Sequence, residues 1–283
     1  MTQVGEERTV TLSGGVRMPM VGFGTWQLSG RRAYDAIRYA LEAGYRHIDT
    51  AAMYGNEEAV GLGLRASGLP RKEVFVTTKV WPDDLRPGDL ERSAEDSLKR
   101  LRLEFADLLL IHWPNLGIPL RGTIEALCRV KRAGLARHIG VANFTVALLE
   151  EAVRLASEPL VTNQCEHHPH LDQTAVLTAC RRHGLSFTSY CPLGRTSVLS
   201  ERVIREIAAA HGKTPAQVVL RWHVQQEGVI AIPKSGDRRR IKENIEIFDF
   251  ALSEAEMRRI SGLARRDGRM ISPSFSPRWD TAA

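Results

Sequence analysis

The sequence predicts a parallel α/β architecture, and three observations carry that prediction. Short apolar runs alternate with longer amphipathic stretches almost from end to end. Eight of the runs read as strands, and the stretches between them are long enough to be crossover helices. Eight parallel strands are the number that closes a barrel, with an open doubly wound sheet as the alternative on pattern alone.

In chain order, Thr9–Met18 (TVTLSGGVRM) has two strand-like halves about a Gly-Gly turn and reads as a hairpin. The strands follow at Met20–Gly22, His47–Asp49, Val74–Thr78, Ala106–Ile111, His138–Val141, Val161–Gln164, Ser186–Tyr190 and Val229–Ile232. Helical periodicity fills the gaps at Arg31–Ala43, Asn56–Ser67, Asp89–Arg100, Ile124–Ala133, Ala147–Ala156 and Asp172–His183. Two more helices, Val198–Ala210 and Pro215–Gln225, fall between the seventh and eighth strands, and Arg238–Ile247 follows the eighth. Ser253–Gly262 opens with Ser and carries Glu256 three residues on, a capping-box start. The Pro- and Ser-rich tail after Gly268 reads as a loop. With no linker, low-complexity tract or repeat beyond the alternation, residues 1–283 are expected to form one domain.

Composition narrows the function. The four cysteines, Cys128, Cys165, Cys180 and Cys191, form no CxxC pair, which fits reduced thiols in a cytoplasmic enzyme. The polar, acidic start MTQVGEE is unlike a signal peptide, and no run is long enough to span a membrane. The net charge is +6, with the densest cluster at Arg238, Arg239 and Arg240. No stacking aromatics or reading motif accompany it, so a local phosphate site is expected and not a nucleic-acid face.

Asp49, Tyr54, Lys79 and His112 each stand where a strand runs out into a loop, in HIDTAAMYGNE, VFVTTKVW and DLLLIHWP. In a barrel these strand ends share one rim, so residues far apart in sequence meet. A Tyr beside a cation, a carboxylate and an imidazole can deliver a proton to a carbonyl oxygen, which is half of a carbonyl reduction. A free phenol, with a pKa of about 10, holds its proton too firmly for this, and a neighbouring cation lowers it. Singly, each residue has an ordinary role: Asp49 a cap, Tyr54 a loop aromatic, Lys79 a solvated strand end, His112 a rim histidine.

Together, and with the flanking segments GFGTW, GVANF, NQCEHHP, SYCPLG and IPKS followed by RIKEN, the set resembles the catalytic tetrad of the aldo-keto reductases, in order from Val21 to Asp249. The resemblance implies a (β/α)8 TIM barrel with an N-terminal β-hairpin and extra C-terminal helices. It implies NADP(H) as hydride source, Tyr54 as general acid, Lys79 and Asp49 as the pair that tunes it, and His112 as the group that orients the carbonyl. Lys234, Ser235 and Arg240 would grip the cofactor's 2′-phosphate and Asn244 its adenine. Tyr190 would stack on the nicotinamide, with Asn143 and Gln164 on its carboxamide and Asp49 near its ribose. Gly24, Thr25, Leu193 and Gly194, the last two in the segment that begins at Cys191, would lie along the cofactor. Ala142, Cys191 and His167 depart from the Ser, Ser and Tyr common in the family, which implies weaker nicotinamide contacts.

The substrate pocket is expected to be walled by Trp26, Trp81, Trp113 and Trp279, with Leu116 and Phe275 at its edge. The loop Pro114–Gly122 is short for the family, which implies an open pocket and broad substrate choice. Tail and pocket segments look most like the bacterial branch that includes 2,5-diketo-D-gluconate and methylglyoxal reductases. The expected partners are small carbonyl compounds, with no nucleic acid and no membrane, and the family's default state is a monomer. The alternatives are a dehydrogenase working in the oxidative direction and a non-catalytic NADP-binding regulatory subunit.

Two other patterns look functional but lack context. Gly61, Gly63 and Ala66 fit GxGxxA but fall inside a helical stretch with no strand before them. Cys165, His167, His168 and His170 are metal-like in composition but crowded and interrupted by Pro169, so no metal is expected.

Overall fold

Eight strands lie side by side in sequence order, all parallel, in one sheet. The computed structural model describes residues 8–12 and 14–280. The acidic start over residues 1–7 and part of the hairpin turn lie outside the described residues. The hairpin is β1 (Thr9–Thr11) and β2 (Arg17–Pro19), paired antiparallel. Then come β3 (Phe23–Gly24), α1 (Gly30–Glu42), β4 (His47–Asp49), α2 (Glu57–Ala66), β5 (Phe75–Val80), α3 (Asp89–Leu101) and β6 (Ala106–Ile111). The second half holds α4 (Leu120–Arg132), β7 (Ala136–Ala142), α5 (Val146–Leu155), β8 (Leu160–Glu166), α6 (Thr174–Arg182) and β9 (Ser186–Tyr190). Helices α7 (Arg202–His211) and α8 (Pro215–Val224) precede β10 (Val229–Ala231), and α9 (Arg238–Ile245) and α10 (Glu254–Ser261) follow it.

The sheet closes on itself. Val21 bridges Ala231, the amides of Gly22 and Ala231 donate to Ala231 and Met20 at 2.9 Å, and Gly24 donates to Pro233 at 3.0 Å. At this seam a Cβ on Gly24 would sit 2.8 Å from the Ile232 carbonyl oxygen, so only glycine lets the first strand meet the last. The result is the (β/α)8 barrel, chosen over the open sheet. Leu12 and Met18 of the hairpin pack on Phe75, Leu108, Val161 and Ile230 and plug the barrel's N-terminal end.

The helices form because their apolar residues recur on one face. In α1 the buried set is Ala33, Ala36, Ile37, Ala40 and Leu41, a stripe that packs on the sheet. Burying each large aliphatic stabilises by about 1.5–3 kcal/mol. Thr145 caps α5, and the boxes Thr214/Gln217 and Ser253/Glu256 cap α8 and α10, each contributing about 1 kcal/mol.

Most element ends fall within two residues of the sequence expectation, and three differ by more. The first strand pairs at Phe23–Gly24, with Val21 contributing only the seam bridge. Helix α4 begins at Leu120 and not Ile124, because packing outweighs the low helix propensity of Gly122. Helix α7 begins at Arg202 and not Val198, after short 3-10 turns over Gly194–Ser200 that are broken by the left-handed residues Arg195 (φ 49°) and Thr196 (φ 77°).

Candidate active site

The C-terminal ends of β4, β5 and β6 bring Asp49, Lys79 and His112 to one rim, and the 3-10 turn Ala52–Tyr54 after β4 turns Tyr54 toward them. Lys79 is fully buried and donates to Asp49 Oδ1 at 2.5 Å and to the Thr50 carbonyl at 2.8 Å. Its ammonium lies 5.2 Å from the centre of the Tyr54 ring, which is 5.6 Å from that of His112. All four sequence-predicted residues therefore meet.

A buried ammonium is costly unless it is paired and hydrogen-bonded. Burial works against the charge on Lys79, but Asp49 and Tyr54 together outweigh it and leave the lysine pKa raised. Lys79 stays a cation. Burial lowers the His112 pKa well below its usual value and Lys79 lowers it further, so this imidazole is neutral at pH 7. For Tyr54 the direction is upward: burial raises its pKa, and the pull of Lys79 offsets this only in part. Lys79 does lower the phenol's pKa as expected, but burial outweighs it. Lys79 limits a rise that burial imposes.

A second layer of side chains holds the first. Gln164, on β8, donates to Asp49 Oδ2 at 2.8 Å. Asn143, in the left-handed conformation just past β7, donates to the His112 carbonyl at 2.9 Å and accepts from the Tyr190 hydroxyl at 2.8 Å. Thr25 is buried and donates through its hydroxyl to the Asp49 carbonyl at 3.0 Å. Ala142 is buried beside them and offers no side-chain hydrogen bond.

Aromatic rings continue outward from the tetrad. Trp26 lies against Tyr54 (centroids 4.9 Å apart) and Trp81 against His112 (5.2 Å). Phe275 of the tail touches both Trp81 and Trp113 at 5.7 Å, and Trp279 stands 5.9 Å from Trp113. The four predicted tryptophans thus line one wall. Leu116 is exposed and lines a cavity of about 360 Å³ with Leu85, Ile118 and Phe144.

Across the rim, Lys234 and Ser235 follow β10, and Arg240 and Asn244 lie on α9. Lys234 and Arg240 are exposed, and Ser235 and Asn244 are buried. The first turn of α9 is occupied by its own cap, Asp237, which accepts from the Arg240 amide at 2.9 Å. Cation side chains, and not free helix amides, are therefore what this end offers. Arg238 stacks on Tyr39 of α1 (4.7 Å). Arg32, also on α1, shares a cavity of about 380 Å³ with Gly236 and Arg238. Burial lowers the Lys234 pKa, and the Arg32 charge lowers it further. Two cations that repel each other over an open groove suit a phosphate, so the residues present fit a phosphorylated dinucleotide. Leu193 packs between two apolar clusters and Gly194 (φ 51°) starts the 3-10 segment, both beside the rim at the end of β9.

The profile of the Aldo/keto reductase family matches residues 20–265. The chain belongs to that family. It is 39% identical over 267 residues to methylglyoxal reductase DkgB of Escherichia coli O157:H7, covering 93% of this chain and 99% of that protein. A solved structure with the provisional name 2,5-diketo-D-gluconic acid reductase B superposes with a TM-score of 0.95 at 46% identity, covering 97% and 98% of the two chains. The aldo-keto reductase of Bombyx mori in complex with NADP gives a TM-score of 0.87 at 32% identity, with 94% and 95% covered. Family membership makes the protein an oxidoreductase. The resemblance drawn from the sequence is borne out.

The two contextless patterns find structural explanations. Gly61 sits in α2 where a Cβ would fall 2.2 Å from the Leu101 carbonyl oxygen, so it serves helix packing. His167 lies 3.3 Å from the Ser189 hydroxyl, His168 bonds Glu166 and His170 bonds Glu201. Burial pushes the Cys165 thiol up to about 12. Sequence reading missed Arg32, which stands in no motif, and passed over Glu166, which lies within NQCEHHP but has Met270 and Ile271 as partners far along the chain. Among the described residues no helix is long and apolar enough to cross a membrane.

Proposed function

We propose that this NADP(H)-dependent oxidoreductase reduces small aldehydes and ketones to alcohols, with Tyr54 as the general acid. The observation that carries the reading is the fully buried Lys79–Asp49 pair beside Tyr54 and neutral His112, under an aromatic wall. NADP(H), when bound, supplies the hydride. Lys234, Ser235, Arg240 and Arg32 hold its phosphate, Asn244 meets the adenine, and Tyr190, Asn143 and Gln164 frame the nicotinamide end, with Gly24, Thr25, Leu193 and Gly194 along the way.

At the carbonyl, the Tyr54 phenol releases its proton to the oxygen as negative charge grows there. The charge of Lys79 then stabilises the phenolate left behind, and Asp49 keeps that lysine in place. His112 is neutral, so its ring N–H can donate to the same oxygen without competing as an acid. The tryptophans exclude water and favour flat or small carbonyl compounds. The names of the relatives point to methylglyoxal and 2,5-diketo-D-gluconate as substrates to try first. The reading also takes the protein to act as a cytoplasmic monomer, which light scattering on the purified chain checks in part.

The test is NADPH consumption, followed by absorbance, with methylglyoxal and a panel of aldehydes and keto-sugars. Tyr54→Phe should cut turnover by roughly a hundred- to ten-thousand-fold and leave NADPH binding intact. A variant that keeps a tenth of wild-type turnover removes Tyr54 from the acid's role.

A further inference from the structure

Glu166 ends β8 with a side chain that is fully buried, yet it touches none of the tetrad. Its carboxylate accepts three donors. His168 Nε2 lies 3.0 Å from Oε1, the Met270 amide donates to Oε1 at 2.8 Å, and the Ile271 amide donates to Oε2 at 2.9 Å. Two of the three come from the C-terminal tail. The Arg269 guanidinium stands 3.9 Å from Oε2 and stacks on the Trp279 ring at 3.7 Å.

The tail is seated by the same strand-end segment just upstream of these contacts. Arg265 donates its amide to the His170 carbonyl at 3.1 Å, and a Cβ on Gly268 would fall 1.8 Å from that oxygen. Downstream, Trp279 Nε1 donates to the Ser272 hydroxyl at 3.0 Å and Asp280 accepts from the Val146 amide at 3.0 Å. Between these points the tail carries Phe275 onto Trp81 and Trp113. Since the tail is an irregular segment, its place depends on such point contacts and not on a helix or strand ladder.

We propose that Glu166 is a positioning residue that latches the C-terminal tail and thereby sets the shape of the carbonyl pocket. The histidine-rich stretch after it, metal-like in composition, is the dock on which the tail rests. A carboxylate suits the latch because it is acceptor-only, and a ring N–H and two backbone amides converge on it. Hydrogen bonds to a charged acceptor are worth about twice neutral ones. A glutamine would turn an NH2 group toward one of those donors, removing an acceptor and adding a clash.

The inference rests on reading the aromatic wall as the carbonyl pocket, so its test needs one measurement that involves no turnover. Hydrogen–deuterium exchange over residues 265–280 of the full-length protein supplies it. Glu166→Gln should speed exchange in that segment while the barrel strands stay protected. Gly268→Ala, which displaces the same turn by sterics alone, should do the same and guards against a fold defect peculiar to Glu166→Gln. With methylglyoxal or a bulkier aldehyde, KM should rise about tenfold, the equivalent of one charged hydrogen bond, with kcat and NADPH affinity held. Unchanged exchange in Glu166→Gln overturns the latch, whatever Gly268→Ala shows. Faster exchange with unchanged KM overturns its control of the pocket. If the wild-type protein turns over no carbonyl, the functional reading fails, while the exchange result still decides the latch.

Discussion

The two ends of the groove are built on opposite terms. At the tetrad end the polar side chains are buried and bind one another: Asp49 holds Lys79 and Gln164, and Asn143 holds Tyr190 and the His112 carbonyl. At the other end Lys234, Arg240 and Arg32 are exposed, and repulsion from Arg32 helps lower the lysine's pKa. One end has its lysine paired before any ligand arrives and leaves a His112 ring nitrogen without a partner, and the other gains its counter-charge from the ligand. The difference follows from what each must do. Proton transfer needs fixed geometry in a low-dielectric setting, where misplacement is costly. Phosphate recognition needs positive charge that water can reach until the ligand displaces it.

The sharpest way to break this contrast is Asp49→Asn. It leaves the Lys79 ammonium buried without its carboxylate, which should cost about 3–5 kcal/mol of stability, read from urea unfolding, and remove most turnover. Loss of turnover with unchanged stability would mean that the pair is not the buried, self-contained unit described. At the open end Arg240→Ala should leave unfolding unchanged and weaken NADPH by about ten- to a hundredfold, the range for one charged hydrogen bond. NADH, which has no 2′-phosphate, should lose little. Equal loss for both nucleotides in a fluorescence titration would move the phosphate contact elsewhere.

The barrel was legible because its signals are local. The bounds of His47–Asp49, Ala106–Ile111 and Ser186–Tyr190, each a short segment with apolar or aromatic residues in it, match the structure to the residue. The tetrad was legible for the same reason, since each member ends or follows a readable strand. What escaped depends on contacts that no short window contains. Met270 reaches Glu166 across 104 positions, and Arg32 faces Lys234 from the other end of the chain. The Tyr54 direction escaped because burial is a property of the closed rim, whereas the sequence displays only the nearby cation.

Arg32 gives the smallest effect and the finest test of the open end. It is exposed, so its attraction for a phosphate is screened, and Arg32→Ala should weaken NADPH by only about two- to fivefold, as for one surface ion pair. The pH dependence says more than the size. Burial and Arg32 lower the Lys234 pKa, so the ammonium is lost at a lower pH than for an ordinary lysine. NADPH affinity should therefore fall on the alkaline side as Lys234 loses its proton, while NADH affinity stays flatter. Removing Arg32 removes one of the two causes, so in Arg32→Ala the alkaline fall should move to higher pH, even as affinity at neutral pH drops. An unmoved alkaline limb would mean that Arg32 does not act on Lys234 across the groove, and that the open end has one fewer cation than the geometry assigns to it.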